Sequence, residues 1–381
     1  MSIIQAARVS RAPIAGLAAV GVFWGGFAAL VPEIKAQAGA SDAEFGTALI
    51  MSAVGGMLSM YLSPRVAVAL GRRILPLSGA ALFLALFLPI MADSVPSLGL
   101  ALFGMGAAVS MLDISANVRI SQLEERHRLH LMNLNHAMFS FGFAGSAFAT
   151  SIARKAGFGA AEILPFVALA CLALAGAMVE GRGWLAAEQK GDGGDGRSPW
   201  GVILPAAAIL FAAFICENAT EAWSALHIER TLGGAAGEGG FGPMMLGLTM
   251  GFGRLSGQFA AARLGEAGLI LWSAALGVVG AIVIGLAPVQ AVAVLGVGLL
   301  GLGVAVVVPS ANSILGRLVH PDLRGFAISR AWMIGFTGFF IGPTAMGLIA
   351  EFAGLRVAFL VIACVMATLI PWTRMLQRRG G

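Results

Sequence analysis

Residues 74–92 read ILPLSGAALFLALFLPIMA and contain no charged side chain. A helix rises about 1.5 Å per residue, so about 20 apolar residues cross the hydrocarbon layer of a bilayer. Residues 269–286, LILWSAALGVVGAIVIGL, have the same character. Both stretches are too long and too continuously apolar for strands of an outer-membrane barrel, which alternate polar and apolar residues. They predict membrane-spanning helices.

The composition of the whole chain agrees with this prediction. Of its 381 residues, 58% are hydrophobic and only 11% are charged, whereas about a quarter are charged in soluble domains. An ordinary soluble protein is therefore excluded. Twelve spans of about 20 residues would leave only about 11 residues for each loop or tail, which favours a compact bundle of helices.

Several kinds of site are disfavoured by the sequence. Cys171, Cys216 and Cys364 lie in apolar runs without paired spacing, so we expect neither a disulfide framework nor a metal site. No phosphate-binding loop or hydrolase motif is found, so we expect no cofactor and no enzymatic activity. The formal charge of +5 comes mainly from arginines scattered between apolar runs, which indicates membrane topology rather than nucleic-acid binding.

The predicted spans number twelve. Their approximate bounds are 12–32, 42–62, 74–92, 98–119, 131–152, 161–179, 201–227, 241–261, 268–286, 291–313, 326–349 and 356–374. Of the 24 basic residues, all but five then lie on the side of the membrane that holds both termini. The five exceptions are Lys35, Arg154, Lys155, Arg230 and Arg356. The positive-inside rule predicts that both termini are cytoplasmic.

The chain also contains an internal repeat. A Gly-rich polar segment, 182–199, divides it into residues 1–181 and 200–381. Ser115–Asn117 falls on Ser310–Asn312 when one half is shifted over the other. Weak matches of this kind occur in order along corresponding spans, which predicts a duplicated six-helix unit joined by a cytoplasmic linker.

Two six-helix halves and the basic turn Gly71–Arg73 after the second span resemble the major facilitator superfamily of transporters. The resemblance implies an all-α membrane protein with twelve helices in two pseudo-symmetric bundles that work by alternating access. It also implies an inner gate at Arg72 and Arg73, with Arg254 in the repeated copy of that turn.

Motifs in three spans narrow the resemblance. Asp113–Asn117, Asn135–Gly142, and Glu217 with Trp223–Ser224 are similar to a bacterial sugar-permease-like branch that includes rhizopine-transport-like proteins and, more distantly, fucose permeases. In the superfamily fold the first helix of each triplet lines the cavity. This implies solute contacts from Trp24, Asn117, Glu217 and Asn312.

Ionisable residues inside spans are costly and usually functional. Asp113 and Asn117 lie on one face of span 4, and His136 lies at a similar depth in span 5. We expect Asp113 and His136 to form a proton-responsive pair, or else His136 to bond a backbone carbonyl and Asp113 to cap a bend. Glu124 is expected to pair with Arg128, one helical turn away.

Span 7 carries two carboxylates on successive turns. Glu217 lies about 25 Å along the helix from Trp200, in the outer half of the membrane, and Glu221 follows one turn later. Two such carboxylates would not both ionise readily in a dry site. We expect both to take part in proton coupling.

The sequence and the resemblance therefore predict a monomeric secondary active transporter of the bacterial inner membrane. It is expected to move a sugar-like or other small polar solute through the lipid bilayer together with protons. Two alternatives remain open. One is a proton-driven exporter of hydrophobic drugs or metabolites, and the other is a membrane sensor that transports nothing.

Overall fold

The computed structural model describes residues 3–129, 131–180, 199–320 and 323–378. Over these residues the chain is helical and contains no strand. The helices are α1 Ile3–Val9, α2 Arg11–Gln37, α3 Asp42–Leu70, α4 Ile74–Ala85, α5 Val95–His127, α6 Met132–Lys155, α7 Ala160–Ala177, α8 Trp200–Leu226, α9 Phe241–Leu286, α10 Gln290–Val304, α11 Val307–Leu318, α12 Arg324–Gly335, α13 Thr337–Ala367 and α14 Leu369–Arg378.

These helices make twelve passes. Eight described stretches are long and apolar enough to cross a membrane. Two of them, Asp42–Met91 and Phe326–Arg378, contain a reversal and make two passes each. Two further passes come from the more polar α6 and from the first part of α9, before its kink at Gly265.

Several reversals contain glycines with positive φ, and at three of them such a glycine directly ends or interrupts a helix. Gly71 follows α3, Gly265 interrupts α9, and Gly354 interrupts α13, with φ values of 51°, 68° and 81°. A side chain strongly disfavours this left-handed conformation, and glycine adopts it freely. The apolar runs on either side of each glycine can therefore fold back as antiparallel helices.

The helices form two bundles, as predicted. In the first bundle (α2–α7), α2 packs on α6 and α3 packs on α5; in the second (α8–α14), α8 packs on α12 and α13, and α9 packs on α10. The bundles meet chiefly where α6 contacts α9 and α3 contacts α13. The predicted linker, 182–199, lies outside the described residues except for Pro199, so its role and the domain bounds stay predictions.

The two ends of the molecule are called the near face and the far face. The near face is the one where α2 begins at Arg11 and α14 ends at Arg378. The far face is the one where α2 ends at Gln37 and α3 begins at Asp42.

Candidate functional site

A central cluster of polar side chains joins the two bundles. Arg254 of α9 donates to Glu217 Oε1 of α8 at 3.1 Å, and its other terminal nitrogen donates to the Ser140 hydroxyl of α6 at 2.6 Å. The same guanidinium donates to the backbone carbonyl of His136 at 3.4 Å. Arg254 was expected at the inner gate, but the structure places it in this central cluster instead.

Glu221 lies one turn beyond Glu217 and completes the central cluster. Both carboxylates line a small cavity of about 10 Å³, whose other walls include Phe139, Ser140 and Phe143. A space of this size holds at most a single water molecule. The two bundles are therefore in close contact at this level, and a solute would need them to separate.

Asp113 and His136 do not pair directly. Nε2 of His136 lies 3.1 Å from Asn117 Oδ1, while Nδ2 of Asn117 donates to the Asp113 backbone carbonyl at 2.9 Å. Because the amide N–H₂ of Asn117 is directed at Asp113, its oxygen accepts a hydrogen bond from the N–H of the His136 ring. Asn117, expected as a solute contact, thus stands between the two residues expected to share a proton.

The second bundle repeats this arrangement. Nε1 of Trp332 in α12 donates to Asn312 Oδ1 of α11 at 3.0 Å. Asn312 is the sequence repeat of Asn117, and Trp332 stands where the repeat places His136. In each bundle an asparagine of one helix accepts a hydrogen bond from an aromatic ring nitrogen of the next pass. The internal duplication therefore extends to side-chain contacts.

The remaining predicted site residues make no described polar contact with the central cluster. Trp24 is half-buried and makes edge-to-face contacts with Phe23 and Phe27, with ring centroids 5.4 and 5.7 Å apart. Arg72 and Arg73 are exposed in the turn after α3, and no partner is described for either side chain.

The expected pair of Glu124 with Arg128 is wrong. Glu124 Oε1 instead accepts from the backbone N–H groups of Leu131 and Met132, at 2.5 and 2.9 Å. Glu124 therefore caps the start of α6, where N–H groups lack partners inside the helix. Arg128 adopts a left-handed conformation with φ of 53°, which turns the chain between α5 and α6.

A second polar network, missed by the sequence analysis, joins the bundles at the far face. Arg154 of α6 is 8% exposed and donates to Glu229 at 2.5 Å and to the Ala29 carbonyl at 3.1 Å. Glu229 also accepts from the backbone N–H groups of Gly237 and Gly239. A loop of the second bundle is thereby held against a buried cation of the first.

The same network includes Asp42 at the start of α3. Arg230 of the second bundle donates to both carboxylate oxygens of Asp42, and Lys35 lies 3.1 Å from one of them. Glu351 of α13 accepts from the Asp42 backbone N–H at 2.9 Å. We call the contacts of Arg154, Glu229, Asp42, Arg230 and Glu351 the far-face latch.

The sequence did contain a signal for the far-face latch. Five basic residues were predicted on the side that is poor in basic residues. Lys35, Arg154, Lys155 and Arg230 all pair with carboxylates in the structure. Arg356 donates to the Ala287 carbonyl at 2.7 Å. The basic residues that depart from the positive-inside bias thus all form ion pairs or hydrogen bonds in the structure.

Comparison with known proteins gives the family. The sequence model of the Major Facilitator Superfamily matches residues 14–299 and 260–380. The chain belongs to the major facilitator superfamily. Membership agrees with the two six-helix bundles and confirms the resemblance to the superfamily drawn from the two halves and the basic turn. It makes the chain a multi-pass membrane transport protein for a small solute.

Relatives in the superfamily cover nearly the whole chain. An uncharacterized MFS-type transporter of Yersinia pestis is 27% identical over 92% of this chain and 91% of its own length. The membrane protein MosC of Rhizobium meliloti is 27% identical over 91% of this chain and 84% of its own. The solved structure of the nucleoside transporter NupG superposes with a TM-score of 0.73 at 14% identity, covering 97% of this chain and 99% of that one. The last likeness concerns the fold alone.

Proposed function

We propose that this protein is a secondary active transporter that carries a small polar, sugar-like solute across the bacterial inner membrane together with protons. It works as a monomer, with both termini in the cytoplasm, and needs no cofactor. The observation that carries the proposal is the contact of Arg254 with Glu217 in its own bundle and Ser140 in the other.

Proton coupling is supported by the charges of the central cluster. Two carboxylates, Glu217 and Glu221, accompany one guanidinium, Arg254. With both carboxylates ionised the group carries one net negative charge, and uptake of one proton makes it neutral. A net charge is expensive inside a membrane protein. Proton binding therefore favours the closed arrangement, and proton release favours separation of the bundles.

Asp113 is the second candidate proton carrier. Its backbone carbonyl accepts a hydrogen bond from the Asn117 amide, and Oδ1 of Asn117 in turn contacts the ring of His136. Arg254 bonds the carbonyl of His136 and so links this group to the central cluster. A change at one carboxylate can alter the contact between α6 and α9 that joins the bundles.

The polar solute is supported by the hydrogen-bonding groups that repeat in the two bundles. Asn117 with His136 and Asn312 with Trp332 carry amide and ring N–H groups. In the closed arrangement the ring N–H groups bond the asparagines and the Asn117 amide bonds the backbone, and a solute would take the place of these partners. Such groups suit the hydroxyls of a sugar, and an indole can also stack on a sugar ring. Trp24 and Glu217 are further proposed contacts.

Transport in proteoliposomes tests the proposal. Purified protein is reconstituted, an inward proton gradient is imposed by a pH jump, and uptake of labelled sugars and polyols is measured with and without a protonophore. Gradient-dependent accumulation of one solute supports the proposal. Equal uptake with and without the gradient contradicts it. So does the absence of transport for a solute that binds the protein, as judged by a raised unfolding temperature in its presence.

One observation favours a second candidate, a proton-driven exporter of hydrophobic compounds. Phe214, Trp332, Phe336, Phe339 and Phe340 form a continuous aromatic cluster in the second bundle. Aromatic surfaces bind apolar solutes as readily as they stack on sugars. Export of a hydrophobic dye from the same proteoliposomes, with no sugar uptake, would decide for this candidate.

A further inference from the structure

A crevice of about 540 Å³ lies between α2, α6 and α7 of the first bundle. Two of its lining residues, Phe158 and Phe166, are 53% and 73% exposed. In a membrane-spanning bundle such exposed aromatic rings face lipid. All residues that line the crevice belong to the first bundle, so it is separate from the central cluster. Its volume lies within the range of ligand sites.

The crevice contains hydroxyl groups as well as apolar walls. Ser146 and Thr150 lie one turn apart on α6 and both line it. Thr150 is 1% exposed, and its hydroxyl has no hydrogen-bond partner. A threonine in a helix has two accessible side-chain rotamers, so this hydroxyl can turn towards a ligand that offers an acceptor. A ligand oxygen at this depth would satisfy it.

The charge at the far-face end of the crevice is negative. Glu162, in the first turn of α7, lines it, and one carboxylate oxygen accepts from the Gly159 backbone N–H at 2.7 Å. No lysine or arginine is among the lining residues that the structure describes. The site is therefore complementary to a cation and not to an anion.

The Glu162 carboxylate and the Thr150 hydroxyl lie at different depths beneath the far face. Thr150 lies five residues before the end of α6 at Lys155, about 8 Å beneath the far face. The Glu162 carboxylate lies at the helix start, near that face. A ligand that fits carries a cation at the membrane surface, acceptor oxygens about one to two turns deeper, and an apolar tail below.

We propose that the crevice binds one phospholipid with an ammonium headgroup, of the phosphatidylethanolamine class. The ammonium donates to Glu162, an ester carbonyl accepts from Thr150, and an acyl chain packs on the deeper lining residues Val167 and Ala170. A negatively charged phospholipid such as phosphatidylglycerol lacks the ammonium donor and is repelled by Glu162. The bound lipid fills the space between α6 and α7 and keeps the first bundle rigid.

Native mass spectrometry of the whole protein in detergent tests the proposal. The protein is delipidated and then incubated with equal amounts of phosphatidylethanolamine and phosphatidylglycerol. We expect one phosphatidylethanolamine to be retained in preference to phosphatidylglycerol. Ala170→Trp should fill the crevice and abolish this retention, whereas Leu169→Trp, at an exposed position beside it, should not.

A second pair of variants tests the charge. Glu162→Gln keeps an oxygen that can accept from Gly159 but loses the negative charge. It should reduce the preference for phosphatidylethanolamine by about tenfold, the effect of one charge-assisted hydrogen bond. Asp93→Asn, at an exposed far-face acid outside the crevice, should leave the preference unchanged.

Three outcomes would overturn the proposal. They are equal retention of the two lipids by the unmodified protein, an unchanged preference in Glu162→Gln, and displacement of both lipids alike by a hydrophobic dye. If Ala170→Trp does not fold, Thr150→Val, which has nearly the same shape, replaces it. Thr150→Val should lower retention of phosphatidylethanolamine, and undiminished retention would count against the site.

Discussion

The guanidinium of Arg254 donates to the hydroxyl of Ser140 at 2.6 Å, across the boundary between the two bundles. Its other terminal nitrogen is bonded to Glu217 of the second bundle. One side chain thus connects an intramembrane carboxylate to the neighbouring bundle. Protonation of that carboxylate and the separation of the bundles can be coupled through this single group.

Removing the cation of the central cluster should destabilise the protein. Arg254→Gln leaves Glu217 partly buried without its partner, which costs about 3 kcal/mol or more in the free energy of unfolding. Adding Glu217→Gln to Arg254→Gln should recover much of the lost stability, because position 217 then carries no unpaired carboxylate. Thermal unfolding of the three proteins in detergent measures both effects. Arg65→Gln, at an exposed arginine, is the control and should be near neutral. A double variant no more stable than Arg254→Gln would contradict the pairing.

Asp113→Asn should separate transport from proton coupling. Asparagine keeps the size of the side chain but cannot carry a proton, so insertion and exchange of solute down its gradient should persist while proton-driven accumulation is lost. Uptake after a pH jump, compared with exchange at equal pH, measures the two activities. Asp93→Asn, at an exposed aspartate on the far face, should behave as the unmodified protein. Unchanged accumulation in Asp113→Asn would remove this residue from the coupling mechanism.

Breaking the far-face latch should favour opening of the far face. Arg154→Ala leaves the partly buried Glu229 without its cation, whereas Lys155→Ala breaks an exposed pair with Glu238. Exposed ion pairs contribute at most about 1 kcal/mol, so the second variant should have little effect.

Labelling of an introduced cysteine measures this opening. The Thr344 hydroxyl donates to the Gly46 carbonyl across the bundles, so Thr344→Cys reports their separation. Cys364, the exposed native cysteine, is first replaced by serine. Labelling by a membrane-impermeant maleimide should be faster with Arg154→Ala than with Lys155→Ala. Equal rates would mean that the far-face latch does not hold the bundles together.

The repeated asparagine contacts predict that a histidine can replace Trp332. Trp332→His supplies a ring N–H like the one His136 offers to Asn117, whereas Trp332→Phe leaves Asn312 without its donor. A lost hydrogen bond of this kind costs about 1 kcal/mol. Both variants also lose ring contacts, so their difference in unfolding temperature reports the bond. The histidine variant should be the more stable, and the reverse order would contradict the proposed equivalence.

Close helix packing predicts opposite effects for two glycines. A Cβ added at Gly25 would lie 2.1 Å from the Phe143 carbonyl oxygen, so Gly25→Ala should force α2 and α6 apart. We expect a loss of at least 1 to 3 kcal/mol, roughly the cost of an overpacked core. A Cβ at Gly145 meets nothing within 4 Å, and Gly145→Ala should gain up to about 1 kcal/mol in helix propensity. Equal unfolding temperatures would contradict the close contact.

Side-chain pairing was less predictable than the fold. The sequence placed Asp113 and Asn117 on one face of span 4 and His136 at a similar depth in span 5. It did not give the order of their contacts, because a helix rotation of a few tens of degrees changes which side chains meet. Glu124 shows the same limit: its expected partner was a turn away in its own helix, and its actual partners are N–H groups of the next helix. Arg254 was assigned to the inner gate by its motif, yet its contacts in the central cluster are decided by how closely α9 approaches α6.

The sequence by itself determined the twelve passes, their reversals and the duplication into two bundles. Apolar length, charge bias and glycine conformation are properties of short segments, and no distant contact is needed to read them. Only the tertiary structure decided the central cluster and the far-face latch. Arg230 and Asp42 are 188 positions apart in the chain, and their pairing depends on how two bundles of a duplicated unit meet. A contact between bundles depends on the position and rotation of every helix behind it, and no local pattern encodes that.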